Sequence, residues 1–133
     1  MGAKFALPDR TVVNMNGDGG FLFNAQEMET AVRYGLNVIT IIMNNGCWGS
    51  EKAYQKYAFN ERYVGADVGS PDFEQYARSF GALGIKVEDP DQIGDAFREA
   101  MSAKVPSIIE VPVDPDEMPR PARLGDVMKQ PQQ

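Results

Sequence analysis

The sequence predicts an α/β domain, a parallel sheet with helices on both faces. Three observations carry that prediction. Strand-like and helix-like patterns alternate along the 133 residues: β-α-β, an irregular stretch, then α-β-α-β. Residues 38–43 (VITIIM) form a nearly continuous, β-branched apolar run, the pattern of a strand buried on both faces. Clusters rich in glycine and asparagine follow the first two strand patterns directly. In open α/β sheets, ligands bind at those carboxyl ends. A chain of this length makes one domain with a modest core.

The elements follow in order. Residues 11–15 (TVVNM) read as a short buried strand that stops at Gly17, Gly19 and Gly20. A helix is expected over about 24–34, where Asn24 and Glu27 have capping-box spacing. Ala25, Met28, Ala31 and Val32 share its apolar face, and Gly35 fits its stop. The second strand, 38–43, ends at Asn44-Asn45-Gly46. The polar and aromatic stretch from Trp48 to Tyr63 has no decisive periodicity. Ser70-Pro71-Asp72 starts a helix through Phe73, Tyr76, Ala77 and Phe80, stopped near Gly81. A short strand covers 84–87. Asp89, Pro90 and Gln92 cap a further helix, with Ile93, Ala96, Phe97, Ala100 and Met101 facing inward. The last strand is 107–111 (SIIEV). Residues 1–113 thus form the domain, and residues 114–133, with Pro115, Pro119, Pro121 and Pro131, form an extended tail.

Composition narrows the chemistry. The chain has no histidine and one cysteine, Cys47. A Ser-His-Asp triad, a Cys-His dyad, a structural zinc site and an internal disulfide are all excluded within it. The net charge of −6 argues against a nonspecific nucleic-acid binder. No apolar run approaches the roughly 20 residues of a membrane span. The N-terminus lacks a secretory h-region, so the cytoplasm is the expected compartment. Carboxylate, amide and backbone chemistry remains, or chemistry carried by a bound cofactor.

Two clusters supply such a site. Gly17-Asp18-Gly19-Gly20 and Asn44-Asn45 follow strands that a helix connects, so a parallel crossover brings both to one sheet edge. Glycines let the backbone approach a phosphate closely. A carboxylate among them fits when a hard cation lies between. Mg²⁺ takes six oxygens and is usually held by one or two side chains plus substrate phosphates. Asp18 offers one oxygen, the Asn45 amide a second, and a backbone carbonyl near Cys47 a third. The expected ligand is a Mg²⁺–diphosphate, and no side chain here is a catalytic nucleophile.

The string GDGG, followed by NN after the 24 residues from Gly20 to Met43, resembles the GDG…NN signature of thiamine diphosphate (ThDP) enzymes. The stretch GDGGFLFNAQEMETAVRYGLNVITIIMNNG is similar to acetolactate synthases and their relatives. NNGCWGSEKAYQKYAFNERYVG and FEQYARSFGALGIKVED look most like sulfoacetaldehyde acetyltransferases. The resemblance runs from about Ala3 to Val113. It implies that Asp18, the Asn45 side chain and the Cys47 carbonyl match Mg²⁺ ligands. Gly17, Gly19 and Gly20 match the diphosphate-facing backbone, and Trp48, Gly49 and Ser50 fall near the thiazolium and substrate.

The family's cofactor-binding PP domain normally begins upstream of this Met1, with a further strand and helix. The glutamate that activates the aminopyrimidine belongs to a separate PYR domain. The resemblance therefore implies the C-terminal part of a larger homo- or hetero-oligomeric enzyme acting on 2-oxo acids or aldehydes by carboligation, decarboxylation or acetyl transfer. It also implies that this chain is inactive without a PYR domain, whether that domain belongs to a longer chain or another subunit.

Competing readings remain beside these. The chain could be a non-catalytic assembly or regulatory module that kept the fold, and a stand-alone Mg²⁺–nucleotide binder is disfavoured because no Walker lysine motif is present. Asn14, Asn16, Asp18 and Gly19 imitate the start of an EF-hand loop, but its twelfth position is Ala25 and a strand precedes it. Cys47 reads as an ordinary loop residue, since no His or basic cluster lowers its pKa. Trp48, Tyr54, Tyr57, Phe59 and Tyr63 read as a substrate wall or a packing surface for a partner domain or subunit. Glu51, Lys52, Lys56, Glu61 and Arg62 read as a solvated face, with Arg62 a candidate for an anionic substrate.

Overall fold

The computed structural model describes residues 1–118. Strands β1 (Val12–Gly17), β2 (Val38–Asn44), β3 (Leu83–Lys86) and β4 (Ser107–Pro112) form one sheet in the order β1-β2-β4-β3. Every neighbouring pair is parallel. Helices α1 (Gly2–Ala6), α2 (Asp18–Leu22), α3 (Glu27–Arg33), α4 (Gly49–Ala58), α5 (Phe73–Ser79) and α6 (Ile93–Ala103) complete the described chain, with a 3₁₀ turn at Pro90–Gln92.

Both faces of the sheet are covered, as the sequence predicts. Ile42 and Ile108 pack under Phe21 of α2, Met28 of α3, and Phe73 and Ala77 of α5. Ile39 and Ile109 pack on the opposite face against Ala96 and Ala100 of α6. Phe73 and Ile42 are wholly buried, each contributing about 1.5–3 kcal/mol by the usual transfer value. Gly84 lets α5 close on the sheet: a Cβ there would collide with the Glu74 carbonyl oxygen.

Several expectations are corrected. β1 is not buried: Val13 and Met15 are 42 % and 67 % exposed. Among the described residues it is an edge strand, paired with β2 alone, while α6 lies over β3 and β4. Helix begins earlier than the expected start near Asn24: Gly17 ends β1, and Asp18, Gly19 and Gly20 open α2. α3 consequently begins at Glu27, and the expected Asn24 capping box is absent; the Asn24 carbonyl accepts the Glu27 N–H in a tight turn. The box at Asp89 and Gln92 does form, on the 3₁₀ turn. On α6, Ala96 and Ala100 carry the contact, leaving Ile93 and Met101 exposed on its flanks.

The unassigned stretch after Trp48 contains α4, which buries only Ala53 and so carries little apolar periodicity. The tail is not extended where it is described. The Asp114 carbonyl accepts the Glu117 N–H, and its side chain accepts the Asp116 N–H. Pro119, Pro121 and Pro131 lie outside the described residues.

Candidate functional site

β1 and β2 end side by side. Gly17 pairs with Met43 and Asn44 with Pro112, so Asp18 and Asn45 leave the sheet at the same carboxyl edge. Asp18 is 1 % exposed at the start of α2. Its Oδ2 accepts a 2.7 Å hydrogen bond from the Ser70 hydroxyl. Its Oδ1 receives no donor among the described residues and is not sealed from solvent.

The second strand leads into a tight loop. Gly46 has φ +66°, a left-handed conformation that favours glycine. Asn44 Oδ1 accepts the Gly46 N–H and Asn45 Oδ1 accepts the Cys47 N–H, each at 3.2 Å. An isolated antiparallel bridge joins Cys47 to Asp67. The Gly46 carbonyl accepts from Val68 N–H, and the Trp48 carbonyl from Lys52 N–H. The Cys47 carbonyl between them accepts no donor among the described residues.

Trp48 connects the two clusters. Its ring covers Gly19 so closely that a Cβ there would lie 2.9 Å from Cε3 and Cζ3. Gly19 therefore has a packing reason to be glycine besides close backbone approach. Trp48 also tilts against Phe23, ring centroids 5.2 Å apart. A Cβ on Gly49 would come 3.2 Å from Asn45 Nδ2, whereas Gly17 and Gly20 face open space. Ser50 points elsewhere, donating to Glu51.

The structure thus brings together Gly17, Asp18, Gly19, Gly20, Asn45, Cys47, Trp48 and Gly49. Three oxygens of different kinds are available: a carboxylate, an amide carbonyl with a second lone pair, and a backbone carbonyl. That donor set suits a hard cation, and the open backbone at Gly17 and Gly20 suits an anion beside it. Among the described residues, no three His, Cys, Asp or Glu side chains cluster as a metal site. The Cys47 thiol is buried. Burial above all raises its pKa, opposed by Lys52 and reinforced by Asp18, Asp67 and Asp116.

One expectation about the α4 segment changes. The Lys52 side chain is only 14 % exposed, lies 3.8 Å from Asp116 and sits over the Tyr63 ring, so it is not part of a solvated face. Arg62 is exposed in the turn after α4 and makes no side-chain contact with the cluster. Sequence reasoning missed the role of Ser70, assigned only to a helix start. It also missed Glu110, a buried carboxylate on β4 that accepts from Asn44 Nδ2 at 2.8 Å. Its signal was a lone charge inside an apolar strand pattern, SIIEV. A groove of about 550 Å³ runs along β1, beside Phe21, Met28 and Thr40, and reaches Gly20 of the cluster.

The family model for the thiamine pyrophosphate enzyme C-terminal TPP binding domain matches residues 1–111. The chain is 40% identical to an acetolactate synthase of Bacillus subtilis (strain 168), over 97% of this chain and 24% of that protein. It is 31% identical to a sulfoacetaldehyde acetyltransferase of Alcaligenes xylosoxydans xylosoxydans, over 97% of this chain and 23% of the relative. The thiamine diphosphate-dependent 4-hydroxybenzoylformate decarboxylase of Rhodococcus jostii RHA1 superposes with a TM-score of 0.79 at 31% identity. That match covers 90% of this chain and 22% of the decarboxylase chain. The chain thus spans less than a quarter of the length of these relatives.

Proposed function

The chain belongs to the family of C-terminal, thiamine pyrophosphate-binding domains of thiamine pyrophosphate enzymes, and from that premise we propose that Asp18, Asn45 and the Cys47 carbonyl hold Mg²⁺ on the diphosphate of ThDP. The observation that carries this reading is the pair of unclaimed oxygens, Asp18 Oδ1 and the Cys47 carbonyl, flanking Asn45. Gly17, Gly19 and Gly20 present backbone to the diphosphate, and Trp48 and Gly49 wall the cofactor. Residues 1–113 are the cofactor-binding unit, with residues 114–133 a tail.

Bound ThDP supplies a nucleophilic carbon for 2-oxo acid or aldehyde carbonyls, the chemistry of decarboxylation, carboligation or acetyl transfer. This chain's part is to bind and orient. Asp18 supplies the one carboxylate to the cation, Asn45 adds an oxygen without charge, and Trp48 excludes water beside Gly19. Cys47 stays a neutral thiol, so no side chain of the cluster is free to relay a proton. That group comes from a PYR domain, and the chain alone does not turn over. The shortness of the match supports this partner, as does β1, an edge strand with apolar side chains exposed and a groove alongside.

Trp48 is the chain's one tryptophan and lies in the site, so its emission reports binding. ThDP is titrated with and without Mg²⁺, into the chain alone and with the PYR-bearing part of a relative added. A saturable, Mg²⁺-dependent change is expected, abolished by Asp18→Ala and strongly weakened by Asn45→Ala. An unchanged response in Asp18→Ala overturns the metal assignment. No response in either mixture overturns the cofactor reading for this chain.

A further inference from the structure

Glu110 is 3 % exposed near the carboxyl end of β4, between Ile109 and Val111. Among the described residues, no lysine or arginine pairs with it. Its two oxygens serve two different segments. Oε1 accepts from Asn44 Nδ2 at 2.8 Å, and Oε2 accepts from the Phe73 N–H at 3.2 Å. Burying a carboxylate costs several kcal/mol unless its hydrogen bonds are good, and an apolar residue of similar size would fill the strand position without that cost. Stability is therefore a poor reason for this residue, and the segments it joins suggest a better one.

Asn44 Oδ1 in turn accepts the Gly46 N–H, and the Asn44 carbonyl accepts the Val113 N–H at 2.8 Å. Asn44 thus shapes the turn that presents Asn45 and Cys47. Phe73 opens α5, three residues after Ser70, whose hydroxyl holds Asp18 Oδ2. Both halves of the three-oxygen cluster are tied to one buried carboxylate. From this geometry we infer that Glu110 is a positioning residue: through Asn44 it sets the Asn45–Cys47 turn, and through Phe73 it sets the segment carrying Ser70, so that the two sides of the Mg²⁺–diphosphate site keep a fixed separation. The inference rests on the cofactor reading above. Outer-sphere partners of this kind typically change metal affinity by about 10–100-fold when removed.

The test compares Glu110→Gln, the double variant Glu110→Gln with Asn44→Asp, and Ile39→Val. The single variant sets two amide N–H₂ groups against each other or leaves Phe73 N–H without its acceptor. The double variant restores every bond with one donor reversed, the introduced amide on β4 donating to the introduced carboxylate at the end of β2. Ile39→Val loosens the same sheet on its opposite face, against α6, away from both segments. Readouts are amide hydrogen exchange at Gly46, Cys47 and Phe73, and the Mg²⁺–ThDP titration of Trp48 emission. Glu110→Gln is expected to speed exchange and weaken Mg²⁺-dependent binding, each by about tenfold. The double variant recovers most of both, and Ile39→Val changes neither. Equal behaviour of Glu110→Gln and wild type, equal loosening in Ile39→Val, or no recovery in the double variant overturns the inference. If Glu110→Gln does not fold, Asn44→Ser breaks the same link from the loop side and is read the same way. A wild-type chain that ignores Mg²⁺–ThDP refutes the cofactor reading, while the exchange data still decide whether Glu110 sets both segments.

Discussion

Gly19 and Gly20 are adjacent residues of one short helix, and the structure assigns alanine opposite effects at the two positions. A Cβ on Gly19 would lie 2.9 Å from two ring atoms of Trp48 and 3.2 Å from a third. Carbon atoms prefer about 3.5–4.0 Å, so the ring must retreat by roughly 0.6 Å or more. It has little freedom, because the Trp48 backbone N–H is bonded to the Ala66 carbonyl at 2.7 Å, which fixes where the side chain starts, and Phe23 flanks the ring. Overpacking of this size costs about 1–3 kcal/mol. Gly20→Ala meets nothing within 4 Å and gains about 0.5–1 kcal/mol of helix propensity. Urea unfolding followed by far-UV circular dichroism measures both, and Trp48 emission reports ring displacement in the folded state. Gly19→Ala is expected to lower the midpoint and shift the emission, while Gly20→Ala leaves the emission alone and holds or raises the midpoint. Equal midpoints and wild-type emission in both variants would refute the argument from the ring contact.

Two further outcomes follow. Ser70→Ala removes the one side-chain donor to the buried Asp18 carboxylate among the described residues. It is expected to cost about 1–3 kcal/mol in urea unfolding and to weaken Mg²⁺–ThDP binding, with Ser70→Thr recovering part of both. Burial raises the Cys47 pKa, so the folded state disfavours the thiolate more than the unfolded chain does. That contribution is fully present below the unfolded thiol's pKa and is lost as pH rises through the folded value. The urea midpoint should therefore fall on the alkaline side of the ordinary thiol range, with a smaller fall in Cys47→Ser. Tyr76, also raised by burial, adds a later loss that both proteins share.

The membership of the chain and its parallel architecture were legible in the sequence because local patterns encode them. A β-branched run such as 38–43 has few alternatives to a buried parallel strand. Asp18 and Asn45 were legible because the motif places each directly after a strand, and parallel strands joined by a helix must end on one edge. α4 was not legible, since a helix that buries one alanine has almost no apolar period to read. The exposure of Met15 was hidden because an edge strand and a central strand can share one pattern.

By itself the sequence determined the chemistry available: no imidazole, one thiol, and one carboxylate among glycines facing a pair of amides. Tertiary structure alone decided which oxygens stay available. Ser70, 52 residues from Asp18, takes one carboxylate oxygen and leaves the other without a donor among the described residues. The Cys47 carbonyl remains unclaimed because Val68 and Lys52 bond the carbonyls on either side. Glu110, 66 residues from Asn44, ties the loop to α5. Hydrogen bonds between residues so distant in the chain depend on how the sheet and helices pack, and no local pattern records them.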